Sequence, residues 1–254
     1  MSASPSSHLT RIIRSTRIIL HTFHGIFLCA AIFPLLSQKY KNLLISYWSR
    51  NLLKILNIQL KIEGNQPNHQ VKGVMFVGNH ISWLDIHVLN SILAVRFVAK
   101  SEIRRWPIFG WLAKQGNTLF IRREQKKDAV RVIETASESL MAGDCLCFFP
   151  EGTTTDGTKL LKFTSSLMQA PINAKTKIHP FAIEYLCQNG NKNVDVAFAG
   201  ETTLMISIWR ILSLHNSEAR ITFLDPISSE GHERRGLSIS ARHAIATHLK
   251  MQQN

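Results

Sequence analysis

Short apolar runs alternate with segments of helical spacing from residue 58 to the end of the chain. Runs of mostly apolar residues bounded by turn residues predict strands, and apolar positions that recur every three or four residues predict amphipathic helices. Strands are predicted at 58–62, 74–77, 96–99, 118–121, 145–149, 178–183, 194–198 and 220–224. Helices are predicted at 84–93, 105–114, 126–141, 203–212 and 237–250. This alternation predicts an α/β fold with a mixed, largely parallel sheet and flanking helices.

The N-terminal quarter has a different pattern. Residues 18–36 form a 19-residue apolar run that is interrupted by His21, Thr22, His24 and Pro34. About 20 apolar residues span a bilayer, so the run is borderline for a full crossing. A cleaved secretory signal is the competing interpretation, but the run follows a long basic lead and lacks a clear small-residue cleavage site. We therefore expect a retained membrane anchor.

The following segment, 41–56, has apolar residues at helical spacing with basic residues between them. This pattern predicts an amphipathic helix that lies in the bilayer interface, or one that covers the core of the globular domain. Basic residues flank the apolar run on both sides, so the charge bias does not orient it. We expect a re-entrant or monotopic helical pair with both ends on the cytoplasmic face.

Charge and composition narrow the class of partner. The 254 residues carry a net charge of +13, and 45% of them are hydrophobic against 19% charged, which excludes a disordered chain. Residues 1–64 contain eight basic residues and one acidic residue, interleaved with the apolar run. No zinc-finger, RNA-recognition or basic-region signature accompanies this charge. Membrane lipids are therefore the expected partner, and nucleic acid is not.

The segment Asn-His-Ile-Ser-Trp-Leu-Asp at 79–85 carries the strongest chemical signal. It follows a predicted strand and opens a predicted helix, which is where open α/β sheets place their sites. If His80 lies in the turn and Asp85 in the first helical turn, the carboxylate can orient the imidazole and raise its basicity, as a general base requires. A purely structural pair is the common alternative. A metal site that adds His87 matches no common zinc spacing, and the four cysteines are poorly spaced for one, so no metal is expected.

A nucleophilic serine is the alternative to a general base. Ser82 lies two residues from His80, but the chain has no Gly-x-Ser-x-Gly elbow. Ser82 is therefore interpreted as a helix-start residue.

Two further clusters follow predicted strands. The run Phe-Phe-Pro-Glu-Gly-Thr-Thr at 148–154 places Glu151, Gly152 and Thr153 in a loop whose amides and hydroxyls suit a phosphate or a polar head group, although a plain turn is the simpler interpretation. The run 116–123 ends in Arg122 and Arg123. Arginine binds phosphate in a bidentate manner, but surface arginines at strand ends are also common.

Taken in order, these segments resemble the four sequence blocks of the glycerolipid acyltransferases, the family that includes 1-acylglycerol-3-phosphate acyltransferase. The matching segments are NHISWLD at 79–85, the Phe-Ile-x-Arg end at 120–123, FPEG at 149–152 and IHPFAI at 178–183. The resemblance covers roughly 58–225 and implies membrane-docking helices at 1–57 and an acyltransferase domain at 58–254. It also implies roles for individual residues: His80 as general base, Asp85 as its orienting partner, Arg123 and Gly116 in the phosphate-binding block, Glu151 and Gly152 in the acceptor loop, and Pro180 in the fourth block.

The resemblance implies transfer of a fatty acyl group from acyl-CoA or acyl-carrier protein to the hydroxyl of a lysophospholipid, without a cofactor, at the cytoplasmic face of the inner membrane. The first acceptor to consider is 1-acyl-sn-glycerol-3-phosphate, which would give phosphatidic acid. Such a thioester needs no covalent enzyme intermediate, and backbone amides in the 79–83 turn are the expected oxyanion donors.

Two departures keep a second acceptor open. Many family members carry arginine directly after the threonine that follows FPEG, whereas this chain has Thr154, and Arg122 stands where an acidic residue is common. Either the positive charge has moved to Arg122 or the acceptor is a lyso-ornithine lipid. A non-catalytic membrane-binding protein would explain the N-terminus but not the His-Asp pair and the Pro-Glu-Gly loop.

Overall fold

The computed structural model describes residues 7–68, 70–122 and 126–251. Within these ranges the chain forms one eight-stranded sheet in the order β1-β7-β6-β2-β5-β3-β4, with β8 paired to β6. The strands are β1 Ile58–Gly64, β2 Met75–Gly78, β3 Arg96–Lys100, β4 Leu119–Ile121, β5 Leu146–Phe148, β6 Lys177–Leu186, β7 Ser217–Phe223 and β8 Ile227–Ser228. The helices are α1 His8–Phe27, α2 Gln38–Ile55, α3 Leu84–Ile92, α4 Phe109–Gln115, α5 Lys126–Met141, α6 Gln169–Asn173, α7 Leu204–Ser213 and α8 Arg234–His248.

The sheet is mixed and largely parallel, which confirms the predicted fold class. Strands β2, β5, β3 and β4 run parallel to one another, and β6 is parallel to β2 but antiparallel to β7 and β8. Consequently the carboxyl ends of β2, β5, β3, β4 and β6 lie along one edge of the sheet. This edge holds the turns that the sequence analysis singled out.

Successive strand residues face opposite helical layers. Phe76 and Cys147 pack with α2, α3 and α7, whereas Met75, Val77 and Leu146 pack with α5, α6 and α8. These strands are apolar on both faces because helices cover both sides of a parallel sheet. The core therefore consists of two apolar layers separated by the sheet.

Two predicted elements are wrong in part. Residues 194–198 do not form a strand: Val194–Val196 is a 3₁₀ turn that begins where the Asn193 side chain accepts a hydrogen bond from the Asp195 amide, and its apolar side chain Val196 is buried in the core. The helix predicted at 105–114 starts only at Phe109. Pro107 accounts for this late start, because the residue before a proline is driven out of the helical region.

The N-terminal helices expose much of their apolar surface. The helical segment from His8 to Leu35 is long and apolar enough to cross a membrane, and only 17% of its most apolar window is buried. Leu20, Phe23 and Phe27 of α1 are exposed, as are Tyr40 and Tyr47 of α2. This surface is compatible with contact to lipid.

Helix α2 also belongs to the core. Leu52, Leu53 and Leu56 at its C-terminal end are buried against the sheet and α3. The core interpretation of the 41–56 segment is therefore confirmed for the C-terminal part of the helix, and the interface interpretation stays a prediction for its exposed side. The expected boundary at residue 57, between the N-terminal helices and the following domain, falls between α2 and β1 in the sequence. The two parts nevertheless share one core, because α2 packs on the sheet.

A stack of rings joins the N-terminal helices to α3. The His21 ring stacks on Trp48 at 4.3 Å, and Trp48 lies 5.4 Å from the ring of His87 on α3. The Trp83 ring lies edge-on to His87 at 5.8 Å, and Ser49 Oγ lies 3.5 Å from its Nδ1. Burial among these groups lowers the pKa of His87 to about 4.

This depressed pKa predicts a loss of stability in acid. Unfolded chains protonate His87 near pH 6.5, whereas the folded protein does so only near pH 4, so the unfolded state binds more protons between these values. The free energy of unfolding should fall by up to about 3 kcal/mol as the pH drops through this window. Denaturant unfolding in detergent should show this slope reduced in His87→Gln and retained in His8→Gln, a control at an exposed histidine. Equal slopes in all three proteins would contradict the assignment.

Gly78, the last residue of β2, must be glycine for steric reasons. A Cβ at this position would lie 2.3 Å from the nearest ring carbon of Phe181 on β6. We predict that Gly78→Ala lowers the free energy of unfolding by about 1–3 kcal/mol, because the core is overpacked. Gly236→Ala on α8 is the matched control, since the nearest atom to its Cβ is 3.9 Å away, and it should be neutral or stabilising. Equal effects of the two substitutions in thermal unfolding would refute the steric explanation.

Candidate active site

His80 and Asp85 meet at the carboxyl end of β2. His80 Nδ1 lies 2.7 Å from Asp85 Oδ2. His80 occupies the turn after the strand, and Asp85 occupies the first turn of α3, which is the arrangement that the sequence predicted. Among the described residues, the other imidazole nitrogen of His80 has no hydrogen-bond partner. The imidazole therefore has one nitrogen fixed by a carboxylate and one available for chemistry.

Asp85 is fully buried and has four hydrogen-bond donors. Its Oδ2 also accepts from the amides of Ile81 at 2.7 Å and Ser82 at 3.0 Å, and its Oδ1 accepts from the Tyr185 hydroxyl at 2.7 Å. The carboxylate lies at the N-terminus of α3, where the helix dipole favours negative charge. These contacts hold an anion in the core and fix the orientation of the imidazole.

Tyr185 is a site residue that the sequence analysis missed. Burial and the Asp85 carboxylate raise its pKa well above the ordinary value, so the phenol remains a protonated donor. Tyr185 lies on the same face of β6 as Phe181 and Ile183. The apolar alternation could have placed it in the core, but only the register of β6 against β2 brings it to Asp85.

Asn79 is the second missed residue. Its side-chain amide donates to the carbonyl of Ile183 at 2.9 Å and accepts from the Ile183 amide at 2.8 Å. It therefore continues the β2–β6 pairing one residue beyond the strand. This clamp sets the start of the turn that carries His80.

Glu151 supports the His80 turn from β5. Its carboxylate is buried and accepts from the His80 amide at 2.8 Å and from the Leu161 amide at 2.9 Å. Burial raises the pKa of Glu151, and the two amide donors act in the opposite direction. The Phe149 ring stacks on the His80 imidazole at a centroid distance of 4.0 Å. Glu151 and Phe149 thus hold the His80 turn on its β5 side.

The loop after Glu151 folds against the same turn. Gly152 has a φ of 76°, a backbone conformation that favours glycine, and Thr153 is exposed. The Thr155 amide donates to the His80 carbonyl at 2.8 Å, and the Thr154 hydroxyl donates to the Phe198 carbonyl. Position 154 therefore holds an engaged hydroxyl where many family members have a cation.

The third cluster is divided between the two ends of β4. Arg122 follows the strand at the same sheet edge as His80, with β5 and β3 between them, and its side chain is 59% exposed. Gly116 precedes β4 in the turn after α4 and lies at the opposite end of the strand. Arg123 lies outside the described residues. The structure thus brings Arg122, but not Gly116, to the edge that carries the His-Asp pair.

The expected oxyanion donors and the expected role of Ser82 need correction. The amides of His80, Ile81 and Ser82 already donate to Glu151 and Asp85, so they are engaged with carboxylates. Ser82 Oγ is buried and, in the described part of the chain, has no hydrogen-bond partner, so it does not cap α3. The Asp85 side chain instead accepts from the amides of Ile81 and Ser82, in the turn that precedes this helix.

Comparison with known proteins places the chain in a family. The family model described as Acyltransferase matches residues 59–184. The lyso-ornithine lipid O-acyltransferase of Pseudomonas aeruginosa is 34% identical over 202 residues, which cover 80% of this chain and 76% of that protein. The 1-acyl-sn-glycerol-3-phosphate acyltransferase of Neisseria meningitidis is 33% identical over 175 residues, which cover 69% and 68%.

This chain belongs to the acyltransferase family. The resemblance seen in the sequence is thereby confirmed, and the protein is an O-acyltransferase. The fold agrees: the crystal structure of the 1-acyl-sn-glycerophosphate acyltransferase from Thermotoga maritima superposes with a TM-score of 0.65 over 93% of this chain and 96% of that one, at 19% identity.

The Tyr185 contact in this acyltransferase predicts a stability difference. Tyr185→Phe removes the donor to a fully buried carboxylate oxygen, which should lower the free energy of unfolding by about 1–3 kcal/mol. Tyr47→Phe removes an exposed hydroxyl and should change it by less than about 0.5 kcal/mol. Denaturant unfolding of both variants measures the difference, and an unchanged Tyr185→Phe protein would show that the bond to Asp85 is dispensable.

Proposed function

We propose that the acyltransferase moves a fatty acyl group from an acyl thioester to the free hydroxyl of 1-acyl-sn-glycerol-3-phosphate, which gives phosphatidic acid. The observation that carries the proposal is the His80–Asp85 pair at 2.7 Å, with the second imidazole nitrogen available at the carboxyl edge of the sheet. The names and similarity of the relatives support the substrate class.

In the proposed mechanism, His80 Nε2 takes the proton of the acceptor hydroxyl while the oxygen attacks the thioester carbonyl carbon. The tetrahedral intermediate expels the thiolate, which takes up the proton that His80 holds. Asp85 keeps Nδ1 protonated and stabilises the imidazolium that forms between these steps. No covalent enzyme intermediate is needed, because the thioester is already activated.

Preorganisation supports this role for His80. Its imidazole is fixed by Asp85 on one side and by the stacked Phe149 ring on its face, and its backbone is tied to Glu151 and Thr155. A base that is held in one orientation loses little entropy when the acceptor binds. Glu151 acts here as a positioning residue for the catalytic turn.

For the acceptor phosphate, we propose Arg122 together with Arg123. The Nε of the exposed Arg122 guanidinium lies 3.8 Å from Asp128 Oδ2, which is longer than a hydrogen bond, so its contact with that carboxylate is loose. Thr153 and Gly152 belong to the loop that adjoins the His80 turn, and we assign them to the acceptor side of the site. Gly116 shapes the turn that begins β4.

A second acceptor, a lyso-ornithine lipid, is favoured by two observations. The relative from Pseudomonas aeruginosa, described above, carries that activity in its name, as do relatives from Rhizobium meliloti and Brucella abortus. The hydroxyl of Thr154 is engaged with Phe198 at the position where a cation is common. An acceptor without a phosphate monoester needs fewer cations at this loop.

We propose that acyl-CoA or acyl-carrier protein is the donor and that the enzyme works without a cofactor. The exposed apolar surface of α1 and α2 supports docking to a membrane. We assign the enzyme to the inner membrane, with the catalytic domain on its cytoplasmic face. Membrane lipids are then both the surface to which the protein binds and the source of its acceptor.

His80→Ala should abolish acyl transfer and leave the fold intact. A positioned general base contributes about 10²–10⁴ in rate. The fold should persist because the amides of Ile81 and Ser82 and the Tyr185 hydroxyl still donate to Asp85, with a loss of about 1–3 kcal/mol in the free energy of unfolding for the missing donor. Initial rates with a labelled thioester and lysophosphatidic acid in detergent micelles measure the effect. His232→Ala, at a histidine on the loop before α8, is the control and should retain the parent rate. A turnover rate of His80→Ala close to that of the parent would contradict the mechanism.

The acceptor assignment predicts a specific kinetic change. Arg122→Ala and Arg123→Ala should each raise the KM for lysophosphatidic acid about 10-fold or more, because a charged hydrogen bond to phosphate is lost. Arg235→Ala on the exposed surface of α8 should not change it. The same proteins are offered lyso-ornithine lipid in competition, with each donor in turn. A preference for lyso-ornithine lipid, with KM values unchanged by either substitution, would replace the first acceptor with the second.

A further inference from the structure

Helix α7 presents an apolar surface that the core does not use. Its inner side chains Ser207, Ile211 and Leu212 are buried. On the outer side, Met205 is 74% exposed, Ile206 is 46% exposed and Trp209 is 55% exposed. We call these three exposed residues the α7 patch. Their spacing places them on one side of the helix, so the exposure is a property of a whole helical face.

The α7 patch adjoins the apolar helix α1. The buried guanidinium of Arg14 donates to the carbonyls of Leu212 at 3.1 Å and Leu214 at 2.5 Å, at the C-terminal end of α7. Arg11, one helical turn earlier, lies over the Trp209 ring at 5.8 Å from its centroid. The neighbouring side chains of α1, Leu9, Ile12 and Ile13, are exposed. The patch is therefore continuous with the surface that we propose docks to the membrane.

The residue types fit the boundary between lipid and water. Tryptophan beside arginine is typical of the interfacial region of a bilayer, where an apolar ring is buried and a cation meets the head groups. The charged residue within α7 is Arg210, and the nearest turn of α1 adds Arg11. An anionic leaflet complements this charge.

The inner side of α7, opposite the α7 patch, packs against the segment that follows His80. Trp83, three residues after His80, donates from its indole nitrogen to Ser207 Oγ at 3.1 Å. The segment that leads into α7 is tied to the same turn, because the Phe198 amide donates to the Ile81 carbonyl at 2.9 Å. A leaflet in contact with the outer side of α7 would thus lie about one helix diameter, ~10 Å, from the residues that follow His80.

We infer that the α7 patch is a third membrane-docking element, which inserts Met205, Ile206 and Trp209 into the head-group region of an anionic leaflet. This inference rests on the membrane docking that is part of the proposed function. It extends the docking surface from residues 1–57 into the catalytic domain. The bilayer then contacts both α1 and α7. These two contacts fix the distance between the His80 turn and the bilayer surface.

Vesicle binding of the full chain tests the inference. Partitioning is measured by flotation on phosphatidylethanolamine vesicles with and without phosphatidylglycerol. The double variant Met205→Gln/Ile206→Gln and the single variant Trp209→Gln should each bind about 10-fold or more weakly than the parent, because apolar area is lost from the interface. Ile239→Gln is the matched control, because Ile239 is 60% exposed on α8 in the opposite helical layer, and it should bind like the parent.

Fluorescence quenching gives a second measurement that needs only the parent and one conservative substitution. Fluorescence of the parent is quenched with brominated lipids and compared with that of Trp209→Phe, so that the difference reports Trp209 alone. We expect strong quenching of this component. Its absence, or parent-like vesicle binding by both patch variants, would overturn the inference.

The outcomes also separate this inference from the proposed function. Acyl transfer by the parent in detergent micelles tests the reaction without a bilayer. If the parent binds vesicles and the patch variants bind equally well, only the α7 inference fails. If sedimentation shows a parent dimer that the patch variants lose while vesicle binding persists, the patch belongs to a second copy of the chain and the inference is also overturned.

Discussion

The fully buried carboxylate of Asp85 is the constraint on which the rest of the site depends. A carboxylate withdrawn from water costs several kcal/mol unless donors replace its hydration. Its four donors are the imidazole of His80, the amides of Ile81 and Ser82, and the phenol of Tyr185. Three of them come from the turn between β2 and α3, and the fourth comes from Tyr185 near the C-terminal end of β6. The charge is therefore satisfied only when the turn, α3 and β6 pack in register. The same requirement fixes the imidazole in one orientation.

The parallel strands bring the remaining parts of the site to one edge. Because β2 and β5 run side by side in the same direction, their following turns emerge together, and Glu151 reaches the backbone of His80. Two buried carboxylates therefore accept from the amides of His80, Ile81 and Ser82, which ties the turn to its neighbours and engages three of the amides that were expected to serve an oxyanion. The two helical layers differ in composition. One layer contains α3 and the helices with exposed apolar surfaces, α1, α2 and α7, and the other contains α5, α6 and α8.

The errors of the sequence analysis have physical causes. At 194–198 a 3₁₀ turn replaces the predicted strand and buries Val196 and Ala197, because the Asn193 side chain supplies a cap that competes with sheet pairing. At 105–114 the helical spacing is real, but Pro107 delays the helix to Phe109. Helix α2 shows the limit of periodicity in another way: one amphipathic pattern serves the core at Leu52 and Leu53 and leaves Tyr40 and Tyr47 exposed. A pattern states which residues share a face and not what covers that face.

The sequence alone determined the α/β class, most of the elements, the pairing of His80 with Asp85 and the family resemblance, because these depend on local periodicity and on residues close together in the chain. The tertiary structure decided the rest. Tyr185 reaches Asp85 across 100 residues, Asn79 reaches Ile183 across 104, and Glu151 reaches His80 across 71, all through strand register. It also separated Arg122 from Gly116. The two residues are close in sequence, but they lie at opposite ends of β4. Contacts of this kind depend on which strands are neighbours in the sheet. The amino-acid sequence alone does not specify this strand order.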